Sequence, residues 1–337
     1  MNITRETLEG LFDNFRKLKV LILGDVMIDS YLWGRVDRIS PEAPVPVVLV
    51  DKRSNMLGGA ANVALNIKSL GAEPILCSVI GDDTRGHDFI ELLEKDQISA
   101  EGIIRSKERI TTTKFRIIGN KSQLLRVDEE NDTDLTESEQ THLVEKLDTL
   151  MTRGDISVVV LQDYNKGVLT ENVIRHITRL GEQNNIPVVV DPKKKNFNSY
   201  TNIELFKPNI KELREGLKQD IDASDIEKVA LACAEWQRKQ HIASVMVTLS
   251  EYGLFMRQQL NGEVKQFHIP AHLRNIADVS GAGDTVISVA SLCIALKSDP
   301  WLTAALSNIA GGLVCEQVGV VPVNGEYLLK EAIDLLK

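Results

Sequence analysis

The run from Asp278 to Thr285, Asp-Val-Ser-Gly-Ala-Gly-Asp-Thr, contains residue types that could do chemistry together. An apolar run from Val286 to Leu296 follows at once, so the glycines lie where a loop turns into a helix. Backbone N–H groups converge at such a turn, and the helix dipole attracts an anion to it. The Asp284 carboxylate would repel that anion, unless it removes a proton from a hydroxyl group that attacks a phosphoryl group. The alternative is that Asp284 only caps the helix.

Length, charge and composition limit the classes of function. The chain has 337 residues, which suits one large α/β domain or two smaller domains. A net charge of −9, without a basic stripe, argues against nucleic acid as a partner. The four cysteines lie far apart in apolar segments, which is typical of reduced cysteines in a cytoplasmic protein. No apolar run approaches the roughly 20 residues that span a membrane, so no membrane partner is expected.

Strand and helix patterns alternate along the chain. Short apolar runs predict strands at 20–24, 75–80, 158–161, 187–190 and 245–248. Amphipathic or apolar stretches predict helices at 58–70, 86–97, 136–152, 170–184, 224–240, 281–297, 300–317 and 324–336. The alternation predicts an α/β fold with a doubly wound, mostly parallel sheet and helices on both faces. Polar residues close these strands and predict one ligand-binding edge, although each of them alone could be a loop residue or a cap.

Two segments interrupt this alternation and predict a small β-sheet lid. Segment 35–51 contains three prolines, which confine its strand to a sheet edge. Segment 109–128 predicts a hairpin around a Gly-Asn turn. Alternation puts Lys114 and Arg116 on one face of the hairpin, and with Arg126 they could hold a sugar phosphate. The alternative is a hairpin face that is simply solvated.

A second glycine motif, Gly58-Gly59-Ala60-Ala61-Asn62, opens a predicted helix. Paired glycines let a ligand approach the backbone closely. Together with the Gly-Ala-Gly-Asp motif, it resembles the two signatures of the ribokinase-like (PfkB) carbohydrate kinase family. The resemblance covers nearly the whole chain. It implies a single ribokinase-like kinase domain over 1–337 with the lid inserted in it, ATP as co-substrate and Mg²⁺ as cofactor.

Further motifs resemble a subgroup, the D-glycero-D-manno-heptose 7-phosphate kinases of ADP-heptose and lipopolysaccharide core synthesis. The most specific of them is Arg-Ile-Ser-Pro-Glu-Ala-Pro-Val-Pro-Val at 38–47, and the others lie at 24–29, 162–167, 191–193 and 207–209. The resemblance implies phosphorylation of the anomeric 1-hydroxyl of the heptose phosphate. Members are often fused to a nucleotidyltransferase. The sequence has no His-x-Gly-His motif, so the separate kinase form is expected.

The same resemblance implies roles for individual residues. Asp284 would be the general base, and the backbone N–H groups of Gly281, Ala282 and Gly283 would hold the transferred phosphoryl group. The residues expected to bind the sugar or its phosphate are Asp29, Gly58, Gly59, Asn62, Lys114, Arg116, Arg126, Asp163 and Lys166. Those expected at the nucleotide are Lys193, Asn209, Thr248, Ser250, Gly253 and Asn308. Nothing in the sequence says which of Lys166 and Lys193 contacts which phosphate.

Two cation sites are also implied. Asn209 and Glu212 match the family's Asn-x-x-Glu motif, which places water-bound Mg²⁺ at the phosphates. The alternative is a plain helix-capping box formed by the same pair. Asp278 and Ser280 match a monovalent cation site, for which K⁺ is the expected ion.

Other functions and an assembly state follow from the same features. A second candidate is a ribokinase-type enzyme for an unphosphorylated sugar or a nucleoside. The lid cations distinguish the two, because only the heptose phosphate kinase would need them to hold a sugar phosphate. A catalytically silent sugar or nucleotide sensor would not need Asp284. A nicotinamide dehydrogenase is disfavoured, because Gly24-Asp-Val-Met stands where Gly-x-Gly-x-x-Gly is needed. The lid's open edges predict a homodimer with contacts in 36–50 and 111–128, and the alternative is a monomer whose lid folds on its own core.

Overall fold

The structure is a computed structural model that describes residues 3–120, 122–260, 262–272 and 274–336. Within these ranges the chain forms ten α-helices and thirteen strands. The helices are α1 (Arg5–Phe15), α2 (Ala60–Ser69), α3 (Thr84–Lys95), α4 (Glu137–Met151), α5 (Glu171–Asn184), α6 (Ile210–Leu217), α7 (Ile226–Gln240), α8 (Ala282–Ala295), α9 (Pro300–Val314) and α10 (Gly325–Leu335). The strands are β1 (Lys19–Gly24), β2 (Val26–Ile39), β3 (Pro46–Gly59), β4 (Glu73–Gly81), β5 (Gly102–Ser106), β6 (Thr113–Gly119), β7 (Ser122–Glu129), β8 (Val158–Gln162), β9 (Val188–Asp191), β10 (Leu205–Phe206), β11 (Ser244–Thr248), β12 (Leu254–Leu260) and β13 (Glu263–Ile269). Lys121 of the predicted hairpin turn, and Met1, Asn2 and Lys337 of the predicted domain, lie outside the described residues.

The larger sheet has its strands in the order β13-β12-β11-β10-β9-β8-β1-β4-β5. Neighbours from β11 to β5 pair in parallel, whereas β12 and β13 add an antiparallel hairpin at one edge. Both faces are buried: in β1, Val20 and Ile22 pack into one hydrophobic core, and Leu21 and Leu23 pack into the other. The predicted α/β class, with a mostly parallel sheet covered on both faces, is therefore confirmed.

Several elements are absent from the sequence-based prediction. They are α1, α6, β5, β10 and the β12–β13 hairpin. β10 has only two residues, and β5 reads Gly-Ile-Ile-Arg-Ser with only two apolar side chains, so neither forms a continuous apolar run. In β13 most side chains are exposed, so its sequence lacks the continuous apolar run of a buried strand. None of the helices in the described part of the chain is both long and apolar enough to cross a membrane.

The smaller sheet, in the order β3-β2-β6-β7, contains strands from both segments predicted to form the lid, and we call it the lid. It is larger than the two predicted segments, because β2 and β3 each have 14 residues and begin to pair at Val26 and Gly59, next to the core. Pro46 is the first residue of β3, and β3 lies at a sheet edge, where a proline costs no ladder hydrogen bond. The lid is thus continuous with the core, because a single residue separates the end of β1 from the start of β2.

The two faces of the lid differ in character. Asp29, Lys114 and Asp128 lie opposite one another on β2, β6 and β7 and share one polar face. Alternate positions of the same strands carry apolar side chains, and these are Leu32, Phe115, Ile117, Leu125 and Val127. β2 begins next to the carboxyl end of β1, so the lid adjoins the predicted ligand edge of the larger sheet.

Candidate active site

The N-terminus of α8 is formed by the glycine-rich turn that precedes it. Gly281 is the N-cap residue and has a left-handed conformation with φ of 81°. A Cβ atom at this position would lie 3.1 Å from both the Asn62 amide nitrogen and a methyl group of Val320. Gly281, Ala282 and Gly283 line one end of a cleft of about 640 Å³. The first N–H groups of α8 therefore border the cleft, as an anion site requires.

Asp284, in the first turn of α8, is 4% exposed. Its Oδ2 accepts a hydrogen bond of 2.7 Å from Asn62, while its Oδ1 accepts bonds of 2.7 Å from the Tyr164 hydroxyl and 3.1 Å from Gln162. Burial raises the pKa of Asp284 to about 6, although the bonds from Asn62 and Tyr164 oppose the rise. Such a carboxyl group can take a proton near neutral pH. The alternative that Asp284 only caps the helix is wrong, because the cap is Gly281.

Four polar residues near this carboxylate are missing from the sequence-based site: Gln162, Tyr164, Asp191 and Lys207. Gln162 closes β8, Asp191 closes β9 and Lys207 follows β10, so they lie at the carboxyl ends of neighbouring parallel strands. Lys207 is almost fully buried and its ammonium group lies 3.0 Å from an Asp191 oxygen. Their position at or near the carboxyl ends of strands is the sequence signal that could have identified these residues. Sequence spacing alone, however, does not say which strand ends face α8.

The cleft brings together the residues predicted to bind the nucleotide, which are Lys193, Asn209, Thr248, Ser250, Gly253 and Asn308. Lys193 forms an ion pair with Glu212. Burial alone would lower the pKa of Lys193, but the charges of Asp191 and Glu212 raise it above its ordinary value. The amine is therefore positively charged at the edge of the cleft and suits a phosphate group.

Asn209 and Glu212 form the helix-capping box of α6. Asn209 Oδ1 accepts from the Glu212 N–H at 2.8 Å, and Glu212 Oε2 accepts from the Asn209 N–H at 2.8 Å. This pair therefore forms the helix-capping box that was the alternative to a Mg²⁺ site. Lys193 takes the other Glu212 oxygen, yet a carboxylate has about four acceptor positions, so the pair also fits a Mg²⁺ ion held through water. No group of three or more His, Cys, Asp or Glu residues in the described ranges is arranged to hold a metal.

The predicted sugar residues lie where the lid joins the core. Asp29 is buried and forms an ion pair with Arg116 of β6. A Cβ atom at Gly58 would lie 2.4 Å from an Asp29 carboxylate oxygen, so only glycine fits there without a shift. Gly59 has a φ of 62°, which also favours glycine. Asn62 follows in the first turn of α2 and connects this group to the carboxylate of α8.

The remaining lid cations, and Lys166 after β8, all have carboxylate partners. Lys114 lies 2.8 Å from Asp128 and 3.0 Å from Glu130, and Lys166 lies 2.7 Å from Glu130. Arg126 lies 3.0 Å from Asp128, with its side chain 53% exposed. A sugar phosphate would therefore have to compete with these carboxylates for the cations.

Asp163 does not face the cleft, and its expected place in the sugar site is corrected. Its side chain is fully buried and accepts hydrogen bonds from the Tyr200 hydroxyl at 2.8 Å and the Asn196 amide at 3.1 Å. Side chains alternate along an extended chain, so Asp163 points away from the side that Gln162 and Tyr164 occupy. Asp163 stabilises the loop after β8 instead.

Asp278 and Ser280 order the loop before α8. Asp278 accepts hydrogen bonds from the N–H groups of Ser280 at 2.9 Å and Gly319 at 3.0 Å. Asn308 of α9, which lines the cleft, donates a bond of 2.9 Å to the carbonyl oxygen of Pro270. The Asp278 carboxylate thus ties the loop before α8 to Gly319, whereas Asn308 ties α9 to the residue that follows β13. Binding of a monovalent cation by this loop stays a prediction.

Comparison with known families agrees with this site. The sequence matches the family described as pfkB family carbohydrate kinase over residues 17–324. The Bifunctional protein HldE of Syntrophotalea carbinolica is 38% identical over 329 residues, which make up 96% of this chain and 65% of that protein. The protein of the same name from Helicobacter pylori is 39% identical over 307 residues, or 89% of this chain and 63% of that protein. The chain therefore spans somewhat less than two thirds of the length of these relatives.

Solved structures share the fold at low sequence identity. Phosphofructokinase-2 from Escherichia coli in complex with potassium has a TM-score of 0.78 at 18% identity, with 95% of this chain and 99% of that chain covered. Arabidopsis thaliana ribokinase complexed with ribose and ATP has a TM-score of 0.69 at 15% identity, with 93% and 99% covered. The three chains therefore share the ribokinase-like α/β fold.

Proposed function

This chain belongs to the pfkB family of carbohydrate kinases, phosphotransferases that use a hydroxyl group as acceptor, and from that premise we propose its substrate. It transfers the γ-phosphoryl group of ATP to the anomeric 1-hydroxyl of D-glycero-D-manno-heptose 7-phosphate. The observation that supports the reaction is the position of Asp284. It lines the cleft and also accepts a hydrogen bond from Asn62, one of the residues expected at the sugar. The choice of sugar is supported by the Arg-Ile-Ser-Pro-Glu-Ala-Pro-Val-Pro run and by the similarity to proteins named HldE.

The chemistry follows from the groups around α8. Asp284 takes the proton of the sugar hydroxyl group, and the hydroxyl oxygen forms a bond to the γ-phosphorus of ATP. The bond from that phosphorus to the bridging oxygen breaks, and its electron pair leaves with ADP. The N–H groups of Gly281, Ala282 and Gly283, at the positive end of the helix dipole, stabilise the charge on the transferred group. Asp284 then carries the proton until solvent or product removes it.

Cations complete the proposed site. Asn209 and Glu212 would hold Mg²⁺ through water, and when bound this ion neutralises charge on the nucleotide phosphates. Lys193, charged and at the cleft edge, contacts the same phosphates. The loop ordered by Asp278 and Ser280 would present backbone oxygens to K⁺ beside the N–H groups of α8.

The lid supplies substrate selection in this proposal. Asp29 accepts hydrogen bonds from sugar hydroxyls, and Lys114, Arg116 or Arg126 exchanges a carboxylate partner for the distal phosphate. One observation favours a second candidate, a ribokinase-type kinase for an unphosphorylated sugar. The cations predicted to face the ligand are all paired with carboxylates of the chain itself. A homodimer, in which the two lids pack on each other over their own sites, is also proposed.

A coupled ADP-release assay with a panel of sugars distinguishes these candidates. The panel contains D-glycero-D-manno-heptose 7-phosphate, the free heptose, ribose and a nucleoside. We expect kcat/KM to be highest for the heptose phosphate, and the alanine variant of the responsible lid cation should reduce the ratio of phosphorylated to free heptose. Arg5→Ala, which removes an exposed cation from α1, is the matched control. Equal kcat/KM for both heptoses in the unmodified enzyme would favour the ribokinase-type candidate.

A further inference from the structure

The two oxygens of the Asp284 carboxylate have different surroundings. Oδ1 accepts two hydrogen bonds, from the Tyr164 hydroxyl and from the Gln162 amide, whereas Oδ2 accepts one, from Asn62. A carboxylate oxygen has two lone pairs. Among the described residues, therefore, the contacts of Oδ1 use both of its acceptor positions, and those of Oδ2 leave one for an incoming hydroxyl group.

The backbone of Tyr164 is held in place by a buried carboxylate. Its N–H donates a bond of 2.8 Å to Asp25, a carboxylate that is 1% exposed. The same carboxylate accepts from the N–H groups of Lys166 at 3.1 Å and Val168 at 3.0 Å, so it fixes the loop after β8. The Tyr164 ring also faces Lys193, whose ammonium group lies 5.4 Å from the ring centre. The hydroxyl therefore reaches Asp284 from a loop with little freedom.

Gln162 approaches from the end of β8. It is 1% exposed, and its amide nitrogen lies 3.1 Å from Asp284 Oδ1 and 3.3 Å from an Asp191 oxygen. An amide donor placed between two carboxylates holds both of them without adding charge. Asp191 is paired with Lys207 on its other side, which keeps this buried group from being an uncompensated anion.

We propose that Tyr164 and Gln162 are positioning residues that hold Oδ1 of Asp284, so that Oδ2 is the oxygen that removes the proton from the acceptor hydroxyl. This inference rests on the proposed base role of Asp284. It assigns to the loop after β8 a function that is separate from binding of either substrate. Asn62, one of the residues expected at the sugar, donates its hydrogen bond to Oδ2.

Tyr164→Phe tests the inference, because it removes the hydroxyl group and keeps the ring that faces Lys193. Loss of a hydrogen bond to a charged group should lower kcat roughly tenfold to a hundredfold, with KM for ATP within about twofold. The acid limb of the pH profile should also move to higher pH, because fewer donors stabilise the charged carboxylate. Gln162→Leu should act in the same direction. Tyr327→Phe, an exposed tyrosine of α10, is the matched control.

A measurement without substrate separates this inference from the proposed sugar. Carbon-13 NMR of labelled aspartate carboxyl groups gives the pKa of Asp284, with its signal assigned by Asp284→Asn. Asp191, Lys207, Lys193 and Tyr164 are the charged or titratable groups near it, and Tyr164→Phe changes only the last. An upward shift of the pKa in this variant supports the inference. An unchanged pKa, or an unchanged kcat and pH profile in an active enzyme, would overturn it. If no sugar is phosphorylated, the proposed function fails while the NMR comparison still decides the positioning role.

Discussion

Asn62 and Asp284, 222 positions apart in the sequence, are joined by a buried hydrogen bond of 2.7 Å. The bond connects the first turns of α2 and α8, the two helices that the glycine motifs open. It thereby connects the residues expected at the sugar with those expected at the phosphoryl group. The proposed base thus lies where both substrates must meet.

Asp284→Asn should abolish most phosphoryl transfer while the protein stays folded and still binds ATP. Loss of a positioned general base typically lowers kcat by ~10²–10⁴-fold. Steady-state kinetics and calorimetric ATP titration measure the two effects. Asp13→Asn, at an exposed position of α1, is the matched control and should behave as the unmodified enzyme. Near-normal turnover in Asp284→Asn would remove this residue from the mechanism.

The pH profile of kcat should show an acid limb near pH 6. The active form of Asp284 is the carboxylate, and burial raises its pKa to about 6, so activity should fall as the pH drops through that value. Rates measured at saturating substrates between pH 5 and 8 give the limb. The residual activity of Asp284→Asn should lack it. A rate that stays constant from pH 7 to pH 5 would contradict the assignment.

Gly58→Ala should impair use of the sugar far more than use of ATP. The added Cβ would lie 2.4 Å from an Asp29 oxygen, so the carboxylate or the strand must move. A misplacement of about 1 Å can cost ~10²-fold in rate, and we expect a loss of ~10-fold or more in kcat/KM for the sugar. Gly10→Ala is the matched control, because nothing lies within 4 Å of its added Cβ. Equal effects on sugar and ATP parameters would argue against a role of Asp29 at the sugar.

The lid should mediate dimer formation. Leu125, Ile39 and Val45 are 54%, 63% and 51% exposed, and all three lie in the segments predicted to meet a second copy. A charge in an apolar interface is strongly unfavourable, so Leu125→Glu should shift the mass from dimer to monomer in light scattering at micromolar concentration. Leu231→Glu, which changes a 71% exposed leucine on α7, should leave the dimer intact. A monomer mass for the unmodified protein would exclude the proposed dimer.

The sequence by itself determined the class of fold and the centre of the chemistry. Strands alternate with helices because each apolar run must be covered on both faces, and this pattern is visible along the chain. The Gly-Ala-Gly-Asp motif fixes a helix start, so Gly281 and Asp284 were predictable from local backbone requirements. The extent of the lid was underestimated, because β2 and β3 continue from core into lid without a break in their strand pattern.

Tertiary structure decided which polar residues reach Asp284. Gln162, Asp163 and Tyr164 are consecutive, yet alternation turns Gln162 and Tyr164 toward α8 and Asp163 toward Tyr200. The phase of that alternation depends on which face of the sheet α8 covers, and local sequence does not contain this information. Pairing of the lid cations is also a tertiary result, because their carboxylate partners are fixed by strand register and by loop positions. The motifs therefore predict where the site lies. Strand register and helix placement, which arise from packing of distant segments, decide which side chains contact one another there.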